Sequence, residues 1–404
     1  MSARTPVLKA VAPSAFPQTP VDAAIDAALA EQRLVGAVVL AALDGKLIYT
    51  RAAGFADREA QRCMRTDALF RLASVSKPFV STAAMILVGQ GKIGLDDTLA
   101  RWLPEFQPRL ADSRPAHITL RQLLSHTAGL GYRFFEADEQ GPYALAGVSD
   151  GMDCSGITLA ENLRRIASVP LQYEPGAGWG YSLATDVLGA LIEQVCGLPL
   201  ETALQQLLTG PLALHDSAFA AVDASRLATP YVNCEPQARR MRALDVVPAF
   251  EGTAGIRYAP ARALDGAAFP SGGAGMTGSA GDFLQLLELL RQGGGDLLPA
   301  ALVEEMARNQ TAEMALPNSP GCGFGLGFSV LRDPLAASSP ESVGTWRWGG
   351  AYGHSWWVDR ARGLSVVAFT NTLYEGMSGR FVTDLRDAVY AHLPVWQSVE
   401  QAAC

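Results

Sequence analysis

A serine and a lysine three residues apart, Ser74 and Lys77, form the pattern in this sequence that points most directly to chemistry. The residues after Lys77 are apolar nearly all round, which predicts a buried helix, and Pro78 is tolerated only near a helix start. Ser74 and Lys77 would then share one helix face, with Cβ atoms about 5–6 Å apart. A buried lysine can accept the serine proton or strengthen a neighbouring base, so the pair predicts a nucleophilic serine. The alternative is a serine that caps a helix and a lysine at the surface.

The second candidate is Tyr181, which follows the glycine-rich segment EPGAGWG and precedes an apolar stretch typical of a helix. A tyrosine at a helix start can present its hydroxyl to a cleft, and beside a lysine it can serve as a general base. A tyrosine packed as a helix cap is the alternative, and the residues alone leave both interpretations open.

The third candidate is the segment WGGAYGH, residues 348–354, in which a strand runs into consecutive glycines. Glycines allow the backbone to approach a ligand closely. The amides of Ala351 and Ser74 would then form an oxyanion hole, a pair of donors that stabilises the negative oxygen of a tetrahedral intermediate. A bulge between two strands is the alternative.

A competing motif, GVSDG at residues 147–151, matches the GxSxG pattern of a nucleophile elbow at Ser149, with His354 as its best histidine partner. That pattern requires a strand before the serine and a helix after it, whereas this one lies in a loop of Gly, Asp and Ser. We therefore interpret Ser149 as a turn residue. His126, in LLSHTAGL, is interpreted as a histidine at a helix end that bonds to backbone.

Both ends of the sequence predict strands that together form an antiparallel sheet. Residues 22–33 predict a helix, and Asp44-Gly45 between the apolar runs 35–43 and 46–54 predicts a hairpin. Near the other end, four further strands and a closing helix that ends at Pro394 are expected. These strands cover residues 324–330, 344–348, 353–359 and 364–371, and the helix covers 377–393.

The middle of the sequence has helical patterning separated by long loops. The predicted helices cover residues 78–91, 118–126, 159–168, 181–196, 199–209 and 280–292. The predicted fold class is therefore α/β (α+β): an antiparallel sheet built from both termini, flanked by helices, with a mostly helical region inserted. We expect a discontinuous sheet domain at 1–100 and 280–404, a helical domain at 101–279, and the active site between them.

Composition excludes several classes of protein. The 404 residues are 49% apolar and 18% charged, which is a globular balance, and the net charge of −8 without a Lys/Arg-rich run argues against nucleic-acid binding. No run approaches 18 apolar residues, so no membrane span is expected, and residues 1–20 lack the pattern of a secretion signal, which predicts a cytoplasmic protein. Six scattered cysteines and no HxxxH spacing predict no metal site. Oligomeric state stays open.

Five segments in order resemble the serine β-lactamase-like family, which includes class C β-lactamases and DD-peptidases, and within it most closely the family VIII carboxylesterases. These segments are RLASVSKP, LLSHTAGL, YEPGAGWGYS, PSGGAGMTGS and WGGAYGHSWWVD, and the resemblance spans about residues 20–393. It implies a β-lactamase/transpeptidase-like fold, with Ser74 as acylated nucleophile, Lys77 assisting it and Tyr181 as general base and later proton donor. It also implies an oxyanion hole from the Ser74 and Ala351 amides, and no cofactor.

Two departures from the family pattern bear on substrate choice. Leu183 stands where penicillin-recognising relatives carry the Asn of Tyr-x-Asn, and Trp348-Gly349-Gly350 stands where they carry Lys-Thr-Gly. Replacing that lysine by tryptophan exchanges an anion anchor for an apolar wall, which disfavours β-lactams and favours neutral, fairly apolar esters. The residues expected to line the substrate pocket are Tyr132, Trp348, Gly349, Gly350 and Tyr352, and the aromatic residues Phe134, Phe135, Trp356 and Trp357 are candidates to extend it.

The predicted function is a serine carboxylesterase that hydrolyses small, short-chain or fairly apolar esters through an acyl-enzyme on Ser74. Three alternatives use the same site: an amidase, D-peptidase or weak β-lactamase; acyl transfer to an alcohol; and a binding protein that is acylated without turnover.

Overall fold

The computed structural model describes residues 9–10 and 19–402. The cytoplasmic location is inferred from residues 1–20, most of which lie outside the described residues, and it stays a prediction. Cys404 also lies outside them. No single described helix is long and apolar enough to cross a membrane, although helices 184–196 and 200–209 would pass such a test as a pair bent by 76°.

The hairpin predicted around Asp44-Gly45 lies at the centre of the fold. Strands Gly36–Leu43 and Lys46–Asp57 pair antiparallel, and the first is buried along its whole length. Asp44 and Gly45 both have positive φ, at 48° and 84°, as the favoured two-residue hairpin turn requires. The turn chemistry therefore sets the register of these two strands.

Strands from both ends of the chain build one nine-stranded sheet, as predicted. All the strands are β1 Lys9–Ala10, β2 Gly36–Leu43, β3 Lys46–Asp57, β4 Arg62–Cys63, β5 Leu69–Arg71, β6 Tyr231–Val232, β7 Arg239–Arg240, β8 Asp245–Val247, β9 Ile256–Tyr258, β10 Thr277–Ser279, β11 Cys322–Phe324, β12 Ser329–Leu331, β13 Trp346–Gly350, β14 His354–Asp359 and β15 Leu364–Thr370. The sheet order is β1-β3-β2-β15-β14-β13-β12-β11, with β4 beside β3. Each pair is antiparallel except β1 with β3.

Helices cover both faces of this sheet. The α-helices are α1 Pro20–Ala30, α2 Ser76–Gly89, α3 Leu120–Leu124, α4 Pro142–Leu145, α5 Leu159–Ser168, α6 Ala184–Cys196, α7 Leu200–Leu204, α8 Ala280–Arg291, α9 Ala300–Ala307, α10 Glu375–Ser378 and α11 Arg380–Ala402. Helices α1 and α11 pack on one face, and α2 and α8 contribute to the larger core on the other. The helix predicted at 199–209 is α7 followed by a π-helical turn at Gln205–Thr209.

Two further predicted elements differ from the structure. The strand predicted at 324–330 is two strands, β11 and β12, because Gly327 has a φ of 111° in the turn that joins them and the Gly325 amide donates to the Phe328 carbonyl. The closing helix predicted at 377–393 is two helices, α10 and α11, separated at Gly379, and α11 does not end at Pro394 but continues through it. Leu393 and Trp396, on either side of this proline, are both buried in the core between α11 and the sheet. Burial of their apolar surface offsets the backbone hydrogen bond that the proline removes.

The inserted region contributes to the same apolar core as the sheet. Phe79 of α2, Leu188 of α6 and Trp356 of β14 belong to one continuous buried cluster. Two short pairs, β5 with β10 and β8 with β9, connect the loops of the middle region to the site. The domain boundaries at residues 100 and 279 stay a prediction, because no break in this core marks them.

Candidate active site

Ser74 lies in a single 3₁₀ turn, Ala73–Val75, that leads directly into α2. Ala73 has a φ of 47°, a left-handed conformation that costs a residue with a side chain of order 1–3 kcal/mol. The Leu72 amide donates to the Met276 carbonyl at 2.9 Å, which ties this strained turn to the strand that follows the PSGGAG segment. Ser74 itself is half-buried, so its hydroxyl is held by rigid neighbours and still reachable.

Lys77 follows one turn later and is 1% exposed. Its ammonium donates to the Gly273 carbonyl at 2.8 Å and to the Tyr132 hydroxyl at 3.0 Å, and lies 3.5 Å from Ser74 Oγ. Three oxygens therefore surround the three N–H donors that a charged lysine carries. The arrangement suits an ammonium that lends positive charge to the site more than an amine that takes the serine proton.

Tyr181 comes from the other side of the cleft, just before α6, and its hydroxyl donates to Ser74 Oγ at 2.7 Å. The indole Nε1 of Trp348 donates to the same Tyr181 oxygen at 3.2 Å. The Lys77 ammonium lies 4.6 Å from the centre of the Tyr181 ring. A hydrogen-bond donor and a cation thus both face the phenol that touches the serine.

His126 packs against the Tyr181 ring and bonds the backbone of the next residue, Ser182. The amide of Ser182 donates to His126 Nδ1 at 3.3 Å, and the His126 ring packs 4.9 Å from that of Tyr181. Burial, and then the positive charge of Lys77, lower the pKa of His126 well below its usual value, so the ring is neutral. This neutral ring at the end of α3 accepts a backbone hydrogen bond, which agrees with the structural interpretation of His126.

Tyr132 was predicted as a wall of the pocket, and the structure places its hydroxyl on Lys77 Nζ. Burial raises the pKa of Tyr132 well above its usual value, and the neighbouring Tyr181 adds to the shift. Tyr132 therefore keeps its proton while its oxygen accepts from the lysine. Sequence spacing gave no sign of this contact, because the two residues are 55 positions apart.

Asp186, in the first turn of α6, is a buried residue of the site that sequence reasoning missed. Burial raises the pKa of Asp186, and the Ser271 hydroxyl, the charge of Lys77 and the Gly273 amide oppose that shift. A Cβ at Gly273 would lie 2.7 Å from Asp186 Oδ2 and 3.4 Å from Lys77 Nζ, so the carboxylate and ammonium are at most about 6 Å apart. The signal that could have found it is an acidic residue within the apolar first turns of α6.

The glycines after Trp348 allow β13 to approach the nucleophile turn. A Cβ at Gly350 would lie 2.4 Å from the Leu72 carbonyl and 3.1 Å from Val75 Cγ2, so only glycine fits. The Ala351 amide comes next, and no carbonyl of the described chain accepts a hydrogen bond from it. This leaves a free backbone donor beside the Ser74 turn. Gly349 faces the other way, where a Cβ would lie 2.9 Å from Met377 Cγ.

The predicted pocket residues divide into two groups. Trp348 contacts Tyr181, whereas the Tyr352 ring packs at 5.1 Å from Tyr258, with the Arg71 guanidinium 5.9 Å from its centre, behind the oxyanion segment. Trp356 and Trp357 are likewise core residues, on opposite faces of the sheet. Alternation along β14 puts these two side chains into separate cores.

An exposed aromatic pair lies at the mouth of the site. Phe135 and Phe250 have ring centres 5.8 Å apart and are 37% and 43% exposed. Phe135 also lies 6.5 Å from the Tyr181 ring. Phe250 belongs to the loop between β8 and β9, and the Ala254 amide of that loop donates to the Glu136 carbonyl at 2.7 Å. Apolar surface therefore continues from the catalytic groups to solvent.

Ser149 lies in a loop and is 1% exposed. Its hydroxyl donates to Asp153 Oδ1 at 2.5 Å, and its amide and carbonyl bond to the side chain of Asn162. His354, the best candidate partner for an elbow serine, instead bonds through Nε2 to the Arg71 carbonyl at 2.8 Å. The structure thus brings Ser74, Lys77, Tyr181 and Tyr132 together and leaves Ser149 apart from His354.

Comparisons with known proteins identify relatives over almost the whole chain. The family model described as Beta-lactamase matches residues 21–391. Esterase EstB of Burkholderia gladioli is 51% identical over 371 residues, which covers 92% of this chain and 94% of that protein. Lovastatin esterase of Penicillium rubens is 27% identical over 93% of this chain and 99% of its own.

A solved structure has the same fold. EstCE1, a hydrolase with promiscuous acyltransferase activity, superposes with a TM-score of 0.88 at 46% sequence identity, covering 92% of this chain and 97% of its own. These relatives confirm the predicted fold class and the resemblance drawn from the five sequence segments.

Proposed function

The chain belongs to the β-lactamase family and is a serine ester hydrolase, and we propose that it works through an acyl-enzyme on Ser74 and prefers short-chain or fairly apolar esters. The observation that carries the proposal is the 2.7 Å contact between the Tyr181 hydroxyl and Ser74 Oγ, beside the buried Lys77 ammonium. A nucleophile, a base and a charge that supports the base thus meet at one point.

In the proposed mechanism Tyr181 is the general base, in the phenolate form that it takes once the proton it donates to Ser74 Oγ has been lost to solvent. Ser74 Oγ attacks the ester carbonyl carbon while its proton passes to the Tyr181 phenolate, which the Trp348 indole N–H and the Lys77 charge stabilise. The Ser74 and Ala351 amides hold the oxyanion. When the intermediate collapses, the alcohol leaves with the proton from Tyr181. A water molecule then gives a proton to Tyr181 and attacks the acyl-enzyme. When this second intermediate collapses, the bond to Ser74 Oγ breaks, Tyr181 returns the proton to Ser74 Oγ, and the acid leaves.

The preference for neutral esters rests on the groups around Tyr181. Trp348 and Phe135 present aromatic surface there. Leu183, at the position where the resemblance places the asparagine of penicillin-recognising relatives, is fully buried. An aromatic wall binds apolar groups and offers no anchor for the carboxylate of a β-lactam. Amide and β-lactam hydrolysis are therefore not favoured.

Acyl transfer to an alcohol is a second candidate activity, supported by the exposed Phe135–Phe250 pair and by the similarity to EstCE1. An apolar alcohol held at this mouth would compete with water for the acyl-enzyme. Turnover of vinyl butyrate with added 2-phenylethanol should give phenylethyl butyrate together with butyric acid. Formation of the acid alone would remove this candidate and leave the esterase proposal intact.

Covalent labelling tests the nucleophile. A p-nitrophenyl phosphonate should inactivate the protein with one equivalent bound, and the label should map to the tryptic peptide with Ser74. Ser149 falls in a different peptide, because several arginines lie between the two serines. A label on the Ser149 peptide, or inactivation without any label on Ser74, would overturn the assignment.

A series of p-nitrophenyl esters from acetate to laurate, measured with a p-nitroanilide and nitrocefin, tests the substrate class. We expect the highest kcat/KM among the short esters. Turnover of the anilide or of nitrocefin at rates that rival the best ester would contradict the proposed preference.

A further inference from the structure

Tyr258, the last residue of β9, contacts the segment that carries the proposed oxyanion amide. It is fully buried, and its hydroxyl lies 3.2 Å from the Ala351 carbonyl and 3.0 Å from the Tyr374 hydroxyl. Its ring also packs edge-to-face on Tyr352 at 5.1 Å. The Tyr258 side chain, from the inserted middle region, therefore contacts Ala351 and Tyr352, the two residues that follow β13.

The protons available in this cluster determine which hydrogen bonds form. Burial raises the pKa of Tyr258 well above its usual value, so its hydroxyl has one proton to donate. The Tyr374 hydroxyl lies 2.9 Å from the Val247 carbonyl and likewise has one proton. Carbonyls only accept, so both are satisfied only when Tyr258 donates to Ala351 and Tyr374 donates to Val247.

The Ala351 segment needs such a contact because glycines flank it. Gly350 precedes it, Gly353 follows with a φ of 113°, and the Gly353 amide donates to the Gly350 carbonyl at 2.9 Å to close the turn. Glycines leave the backbone free to rotate. The Ala351 amide and carbonyl lie in the two peptide planes on either side of its Cα, so fixing the carbonyl restricts where the amide points.

We propose that Tyr258 is a positioning residue of the oxyanion hole, whose hydroxyl holds the Ala351 carbonyl so that the Ala351 amide points at the developing oxyanion. This inference rests on the oxyanion role proposed for Ala351. Tyr258 touches neither the substrate nor Ser74 in this role, and it acts only through the backbone of Ala351. The ring contact with Tyr352 is a separate packing function that a phenylalanine preserves.

The test compares three tyrosine-to-phenylalanine variants on a short p-nitrophenyl ester. Tyr258→Phe should lower kcat about tenfold, less than the loss of an oxyanion donor itself, with KM within twofold of wild type. Tyr374→Phe should retain kcat, because the Tyr258 proton then has only the Ala351 carbonyl to bond. Tyr390→Phe is the matched control: Tyr390 is half-buried, and its hydroxyl bonds Asp359 at 2.7 Å on the other face of the sheet.

A trifluoromethyl ketone separates positioning from a general loosening of the pocket. Its adduct with the serine places an oxyanion in the hole, so its Ki should rise in Tyr258→Phe by the same factor as kcat falls. The Ki of the corresponding non-reactive alcohol should stay unchanged, since that compound makes no oxyanion. A rise in the Ki of both compounds would show that the pocket had changed shape, and would overturn the proposal.

The remaining outcomes are also decisive. An unchanged kcat in a folded Tyr258→Phe, with phosphonate still labelling Ser74, overturns this inference and leaves the proposed function standing. Phosphonate labelling elsewhere overturns the proposed function first. If Tyr258→Phe does not fold, Tyr374→Phe still tests the proton assignment, and a tenfold loss of its kcat with a normal melting temperature would overturn it.

Discussion

The turn at Ser74 and the loop at Ser149 each place a serine in a sequence pattern associated with nucleophiles, and the structure gives them opposite surroundings. The Ser149 hydroxyl is enclosed and bonds Asp153, four residues along the chain. The Ser74 hydroxyl is half-exposed and meets Tyr181, which is 107 residues away. A serine motif therefore indicates an active site only where residues from distant segments meet an accessible hydroxyl. A serine whose hydroxyl is buried and hydrogen-bonded to a nearby residue has a structural role.

Removing the Ser74 and Ser149 hydroxyls one at a time is the most direct test of the different roles of the two serines. Ser74→Ala should lower kcat by at least about 10⁴-fold, because no nucleophile remains. Ser149→Ala should keep kcat within a few-fold and lose about 1–2 kcal/mol of unfolding free energy from the lost buried hydrogen bond. Steady-state kinetics and urea unfolding measure both. Loss of turnover in Ser149→Ala alone would reverse the assignment.

Removing the phenol oxygen tests the base that reaches Ser74 from across the cleft. Tyr181→Phe keeps the ring and should lower kcat about 10³-fold, within the range for a general base. The pH–rate profile of the residual activity should lose the limb that reports the base. A change of less than tenfold would mean that another group takes the serine proton.

Gly273 lies where segments from different parts of the chain pack around Lys77, so a substitution there tests that packing. Gly273→Ala adds a Cβ only 2.7 Å from Asp186 Oδ2, which must push that carboxylate aside and disturb the surroundings of Lys77. A displacement of about 1 Å predicts a fall in kcat of about 100-fold. Gly266→Ala is the matched control, since nothing lies within 4 Å of its added Cβ. Equal effects in both variants would contradict the tight packing of the lysine.

Substitutions in the Ser149 loop should change the free energy of unfolding more than the catalytic rate. Burial raises the pKa of Asp150 to about 7, although the amides of Arg133 and Phe134 donate to it and oppose the shift. The folded-state pKa lies above the ordinary value of 3.8, so protonated Asp150 stabilises the fold. That contribution is full below about pH 3.8 and is lost as pH rises through about 7.

Asp150→Asn should therefore remove part of this pH dependence. The wild type should lose about 2–3 kcal/mol more unfolding free energy than the variant between pH 5 and pH 8, since about two pH units lie between pH 5 and the folded-state pKa of about 7, and one pKa unit corresponds to about 1.4 kcal/mol. Urea unfolding at the two pH values measures the difference. Parallel pH dependence in both proteins would show that Asp150 ionises in the folded protein without cost.

Local patterns predicted much of the fold, and non-local packing explains the errors. Asp44-Gly45 specified a turn because its two residues readily adopt positive φ. Pro394 did not end α11, because buried side chains on both sides keep the helix against the sheet. Tyr352 looked like a pocket residue from its neighbours in sequence, yet its ring packs on Tyr258, which is 94 residues away.

The sequence by itself determined the chemistry available: a serine and lysine one helical turn apart, a tyrosine just before another helix, and a tryptophan followed by two glycines. It also determined the order of segments by which the family is identified. Tertiary structure alone decided that Tyr132 and Gly273 accept from Lys77, that Asp186 lies behind it, and that Ser149 is enclosed. Spacing within a helix follows from local geometry, whereas distances between remote segments depend on how the whole core packs.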